Sequence, residues 1–215
     1  MTKSRSRPAI RYSVHPSVPY ARRILERLPE TTQRSQAEWL GLLAACPFDT
    51  LSDRRKWLKT EYDLGGTTAN LLAELFFDAE AFTDETYLQQ AEVYVASLYS
   101  GKREPLRAIH DELMRRFLKL GADIRISPCK SMVPIYRHHV FAQVKPTTQT
   151  RLDLGLALRD APRRAWQGLK ETGGLANKDR ITHQVGLEHV EDVDDRVQSW
   201  IELAYSLDPA DAAGD

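Results

Sequence analysis

The sequence is short of several things that would name a class at once. It has only two cysteines, Cys46 and Cys129, in 215 residues. Two thiols exclude a disulfide framework and a cysteine-built zinc site. No apolar run approaches the roughly 18 residues that cross a bilayer, so no membrane partner is expected. The N-terminal stretch is basic, but no apolar core follows it, and it does not read as a secretory leader. Pro8, Pro16 and Pro19 break any amphipathic helix there. Catalytic signatures are missing too: there is no G-x-S-x-G, P-loop, H-E-x-x-H or G-x-G-x-x-G motif. No cofactor is expected. Net charge is also lacking, with 30 basic residues against 30 acidic ones.

That zero is a sum of opposed blocks. Residues 1–27 carry +6, 28–101 carry −7, 102–183 carry +9 and 184–215 carry −8. Local fields rather than net charge steer ligands, so a polyanion partner is not excluded. The acidic C-terminal block is a competitor for the same basic surface. Glu188, Glu191, Asp192, Asp194 and Asp195 are the groups that would cover it.

Hydrophobic periodicity divides the chain. Residues 1–20 read as a basic arm and Ala21–Leu28 as a short helix. Within 28–80, three short helices are expected. Ser35 and Glu38 form a capping box before Trp39, Leu40, Leu42 and Leu43. Thr50 or Ser52 caps a second helix, with Gly65 at its end, and Thr67 caps a third. Residues 79–86 are a polar junction. From 87 to 207 the pattern is helix, helix, strands, helix. Period-two alternation marks strands near 123–127, 130–137, 140–145, 151–158 and 181–187. Short connections imply antiparallel pairing. The expected fold is therefore α+β: a small helical domain, then an antiparallel sheet of about five strands with helices on one face. An acidic tail, 208–215, closes the chain.

If the leucines of 152–158 and the valines of 140–144 face the helices, strict alternation puts Lys130, Met132, Tyr136, His139, Phe141, Gln143, Lys145, Arg151 and Asp153 on the other face. This basic and aromatic mixture has three uses. Phosphates could be neutralised by Lys130, Arg137, Lys145 and Arg151 while Tyr136 and Phe141 stack on bases. A protein partner or second copy could bury the Met132, Tyr136 and Phe141 stripe. A pocket for a phosphorylated small molecule could use His183 as acid/base, with Arg151 or Lys130 holding an anionic group. A solvated face with no ligand is the plain alternative. The best single expectation is a non-catalytic anion or nucleic-acid module. Elsewhere, His138-His139 lacks a third metal ligand unless His183 or Asp153 joins it, and no metal is expected. Cys129 beside Lys130 has no base at a useful spacing. His183, between Ile181 and Val185, reads first as a core histidine.

Two sets of residues resemble known families. Ser35…Glu38-Trp39, Trp57-Leu58-Lys59, Tyr62-Asp63-Leu64-Gly65-Gly66 and Ala69 resemble domain-of-unknown-function family 4287. Leu120-Gly121-Ala122-Asp123-Ile124-Arg125, Lys130, Arg137, Val140-Phe141-Ala142, Lys145, Leu152-Asp153-Leu154-Gly155-Leu156 and Thr182-His183 resemble family 5655. The resemblance covers roughly residues 28–207. It implies a bacterial two-domain fusion with a cytoplasmic location, and it supports the fold without supplying an activity. Two departures stand out: Thr31-Thr32-Gln33-Arg34 replaces the usual Thr-Gly-Lys start, and Pro134 falls inside an expected strand, which would be an edge or bulged.

Overall fold

A computed structural model describes residues 10–209. Among them, Val14–Gln89 form one compact unit and the remainder form another. No helix among the described residues is long and apolar enough to cross a membrane.

The first unit is helical: α1 (Ser17–Glu26), α2 (Leu28–Thr32), α3 (Gln36–Ala44), α4 (Leu51–Glu61), α5 (Gly66–Phe77) and the start of α6 (Asp84–Leu98). Local chemistry sets the helix starts. The Glu38 amide donates to Ser35 Oγ at 3.3 Å, and the Ser35 amide donates back to the Glu38 carboxylate at 2.6 Å. Those bonds hold the Glu38 carboxyl below its usual range. Thr50 caps α4 by accepting from the Asp53 amide. Thr67 is not a cap: α5 begins one residue earlier, with Gly65 at the N-cap. Leu28, Trp39, Leu43, Leu58, Ala69 and Leu72 close a core. Trp39 donates its ring N–H to Thr32 Oγ1 at 2.9 Å, which satisfies the one polar atom that ring buries.

The arm expected over 1–20 does not extend to residue 20. Residues 1–9 lie outside the described residues. Past them, Tyr12 is buried, the Ser13 amide donates to the Ile126 carbonyl, and α1 starts at Ser17. Pro16 stands at the N-cap of α1, just before the first turn, where its missing N–H costs nothing.

The second unit continues α6, then α7 (Leu106–Leu118), and builds one six-stranded sheet. Its strands are β1 (Arg125–Ile126), β2 (Val133–Tyr136), β3 (Val140–Pro146), β4 (Leu152–Leu156), β5 (Lys170–Glu171) and β6 (His183–Leu187). Two further helices are α8 (Gly174–Asn177) and α9 (Asp195–Ser206). The strand order is β1-β2-β3-β4-β6-β5, with every neighbouring pair antiparallel. The sixth strand beyond the expected five is β5, a two-residue edge too short to show alternation. Pro134 sits in β2, which is not an edge. It accepts from the Ser127 amide but has no N–H to return, and β1 pairs no further than Ile126.

Candidate functional site

Cross-strand register fixes what each face of the sheet holds, because directly paired residues share a face. Ile126, Ile135, Ala142, Leu156 and His183 make one row; Val133, Val144, Leu154 and Val185 make the next. Most of these residues are fully buried. Helices α7 and α9 lie on this side, where Val197 and Trp200 of α9 border the same groove as Val185 and Leu187.

The other face carries the remaining rows. One is Lys145, Asp153 and Gly186; another is Pro134, Gln143, Gly155, Gln184 and Lys170; Arg125 and Tyr136 are paired beyond them. These rows bring three cations, Arg125, Lys145 and Lys170, to one face with a single carboxylate. Arg151 joins them from the β3–β4 turn, folding over Gly186 so that its Nε donates to Asp153 at 2.9 Å. A side chain at Gly186 would sit 2.7 Å from Arg151 Cδ, and one at Gly155 would sit 2.7 Å from Ile181 and 2.9 Å from Gln143. The two glycines thus let long polar side chains lie flat on the middle of the sheet. Asp153 is 6% exposed and neutralises part of Arg151, while the Lys145 and Lys170 side chains carry no ion pair among the described residues.

The residues expected to form the site are divided among three places. Lys145, Arg151 and Tyr136 are on the open face, and Lys130 is exposed in the turn before β2. Burial pushes the Tyr136 hydroxyl up from its ordinary value. Phe141 is not on that face. It is fully buried, with its ring edge-on to Phe117 of α7 and Tyr205 of α9, each 5.8 Å away. The cause is a bulge: Ile135 pairs with Ala142 but Tyr136 pairs with Val140, which leaves Phe141 without a partner on β2 and breaks the alternation.

Arg137 is committed to the structure. Its Nε donates to Asp123 at 2.8 Å, its Nη1 donates to the carbonyls of Tyr205 and Asp208, and its guanidinium lies 4.0 Å from the Tyr205 ring centre. The arginine holds the Asp123 carboxyl below its usual range. His139 is likewise taken: its amide and Nδ1 both meet the buried Asp208 carboxylate, which also accepts from Arg180. Among the described residues, no three His, Cys, Asp or Glu side chains gather in metal-binding geometry.

His183 is 2% exposed on the apolar side, opposite Leu156, with Nδ1 2.9 Å from Thr182 Oγ1 and its ring 4.5 Å from that of Trp166. Burial lowers its pKa and keeps it neutral. Lys145 and Arg151 are across the sheet from it, so the pocket that would have joined them to His183 does not form. Burial raises the Cys129 thiol, against thiolate activation by Lys130. Among the described residues, the acidic groups of the C-terminal block do not lie over the open face. Asp192 accepts from the amides of Glu188 and His189, Asp194 caps α9, and α9 packs on the apolar side.

Arg125, Lys170 and Gln184 are the residues of this face that sequence patterning missed. Lys170 sits on a two-residue strand with no period to read, and Arg125 lies in the expected strand over 123–127, between Ile124 and Ile126, but is outside the set expected on this face. Gln184 required the β4–β6 register.

Fold and face together define an α+β sheet protein with one helix-covered apolar face and one open basic face, preceded by a helical unit. Residues 95–208 match the family described as Domain of unknown function (DUF5655), and the chain belongs to it. Residues 21–77 match a second, described as Domain of unknown function (DUF4287). No curated protein matches the chain, and no solved structure does.

Proposed function

We propose that the open sheet face binds a nucleic acid through its phosphates, without catalysing a reaction. The observation that carries this is the gathering of Arg125, Lys145, Arg151 and Lys170 on one exposed face around Asp153 alone. Cations so arranged release counterions from a phosphate backbone, and the Gln143 and Gln184 amides offer both donors and acceptors to bases or sugars. With Phe141 in the core, Tyr136 is the one aromatic left among the paired positions of this face. Binding therefore rests on backbone charge more than on stacking, and sequence preference is weak. The bacterial, cytoplasmic setting that goes with this proposal rests on family resemblance.

Fluorescence anisotropy with labelled single-stranded DNA, single-stranded RNA and duplex tests it. Lys145→Glu with Arg151→Glu is expected to weaken binding by at least tenfold, and Tyr136→Ala by less. No binding to any of the three at 50 mM salt or below (roughly one Debye length of 13 Å or more) would reject the proposal.

A further inference from the structure

A second polar locus lies inside the α+β unit. Tyr12, Tyr99, His110 and Ser127 are all buried, and His110 and Ser127 have no exposed surface at all. The Tyr99 hydroxyl is 3.1 Å from His110 Nδ1, with the rings 4.8 Å apart. Three polar atoms remain over: Tyr12 Oη, His110 Nε2 and Ser127 Oγ find no hydrogen-bond partner among the described residues.

They belong to one neighbourhood. Tyr12 and Tyr99 sense each other electrostatically, and both sense Arg107 and Asp111, which flank His110 on α7. Tyr12 and Ser127 each stand one residue from the 2.7 Å bond between the Ser13 amide and the Ile126 carbonyl. Three neighbouring segments thus each carry an unspent polar atom, and a native core rarely leaves even one so.

The groups also fix the ligand's chemistry. Burial, with help from Arg107, pushes His110 down to about 3, and burial pushes Tyr12 up to about 12, so both are neutral near pH 7. Arg107 and Asp111 are paired with each other at 2.8 Å. Among the described residues the further charge that acts on Tyr12 is Glu92, which does not suit an anion. The Nε2 atom is a donor in one tautomer and an acceptor in the other, and a partner that can play either part suits both.

We infer that this locus is a binding site for a small neutral molecule with both donor and acceptor capacity, water itself, bridging His110 Nε2 to Tyr12 Oη and Ser127 Oγ. The bound water ties the segment before α1 to α7 and to the end of β1.

Melting of the full chain tests this by sign. If water satisfies the hydroxyls, Tyr12→Phe and Ser127→Ala each leave it short of a bond, and each lowers Tm by about 2–4 °C. If the hydroxyls are orphans, their removal relieves a buried polar group, and Tm stays level or rises. A level or raised Tm in both variants overturns the inference. Because a lowered Tm has other causes, a crystal structure of the unaltered chain decides independently. Solvent density within hydrogen-bond reach of at least two of the three atoms is expected, and a dry locus overturns the inference.

Discussion

Arg137 and Arg151 show how one residue type serves two ends. Arg137 is spent on a carboxylate, two carbonyls and a ring, with a side chain only 19% exposed. Arg151 has one carboxylate partner and is 43% exposed. Arg137→Gln is therefore expected to lower unfolding stability by about 1.5–3 kcal/mol, the range for buried bonds to a charged group, with little direct effect on ligand binding. Arg151→Gln is expected to weaken ligand binding directly, and also to lower stability because it leaves the buried Asp153 carboxylate without its arginine. Urea unfolding and anisotropy on the same two variants separate the roles. His110 gives a pH test. Its folded pKa, about 3, lies below the usual histidine value, so between pH 6.5 and 3 the unfolded chain binds a proton that the native chain does not. Stability then falls as pH falls through that window. From pH 6.5 to 5 the loss from this one group is about 2 kcal/mol. His110→Leu should remove that part of the slope in urea titrations at the two pH values, whatever it does to stability at pH 7.

The elements differ in how plainly they were written in the sequence. Starts governed by neighbours within four residues were legible, as at Ser35 with Glu38 and at Thr50 with Asp53. Thr50→Ala is expected to cost about 1 kcal/mol of helical-unit stability, read as a shift of the urea midpoint. The leucines of β4 and Val144 of β3 also followed simple alternation into the core, while Val140 is half-buried and pairs with Tyr136. Phe141 did not, because a bulge depends on pairing with β2, and pairing is not a local property. Replacing Phe141 by Ala should therefore unfold rather than merely disarm the unit, at about 3–5 kcal/mol for a large buried aromatic. A base-stacking Phe on the surface would leave the urea midpoint nearly unchanged. The candidate site was half legible for the same reason. Lys145 and Arg151 could be placed by alternation. Arg137 and His139 were bound to Asp123 and Asp208, partners 14 and 69 residues away in sequence, which no spacing rule could supply.

For the whole molecule, net charge describes none of the surfaces that matter. The +9 block supplies the open face, and the −8 block supplies helix caps and the outer side of α9. Among the described residues the two meet where Asp208 accepts from Arg180 and His139 and where Arg116 donates to the Val193 and Asp194 carbonyls, rather than over Lys145 and Arg151. A zero total is then compatible with strong binding to a polyanion, provided the binding is electrostatic and local. The salt dependence of affinity for a single-stranded oligonucleotide tests that most directly. With three to four cations contacting phosphates, log Kobs should fall against log[salt] with a slope of about −2 to −3, and each charge removed at Lys145, Lys170 or Arg125 should flatten it by about 0.7. A slope near zero, or one that these substitutions leave unchanged, would contradict the assignment of the open face as the binding surface.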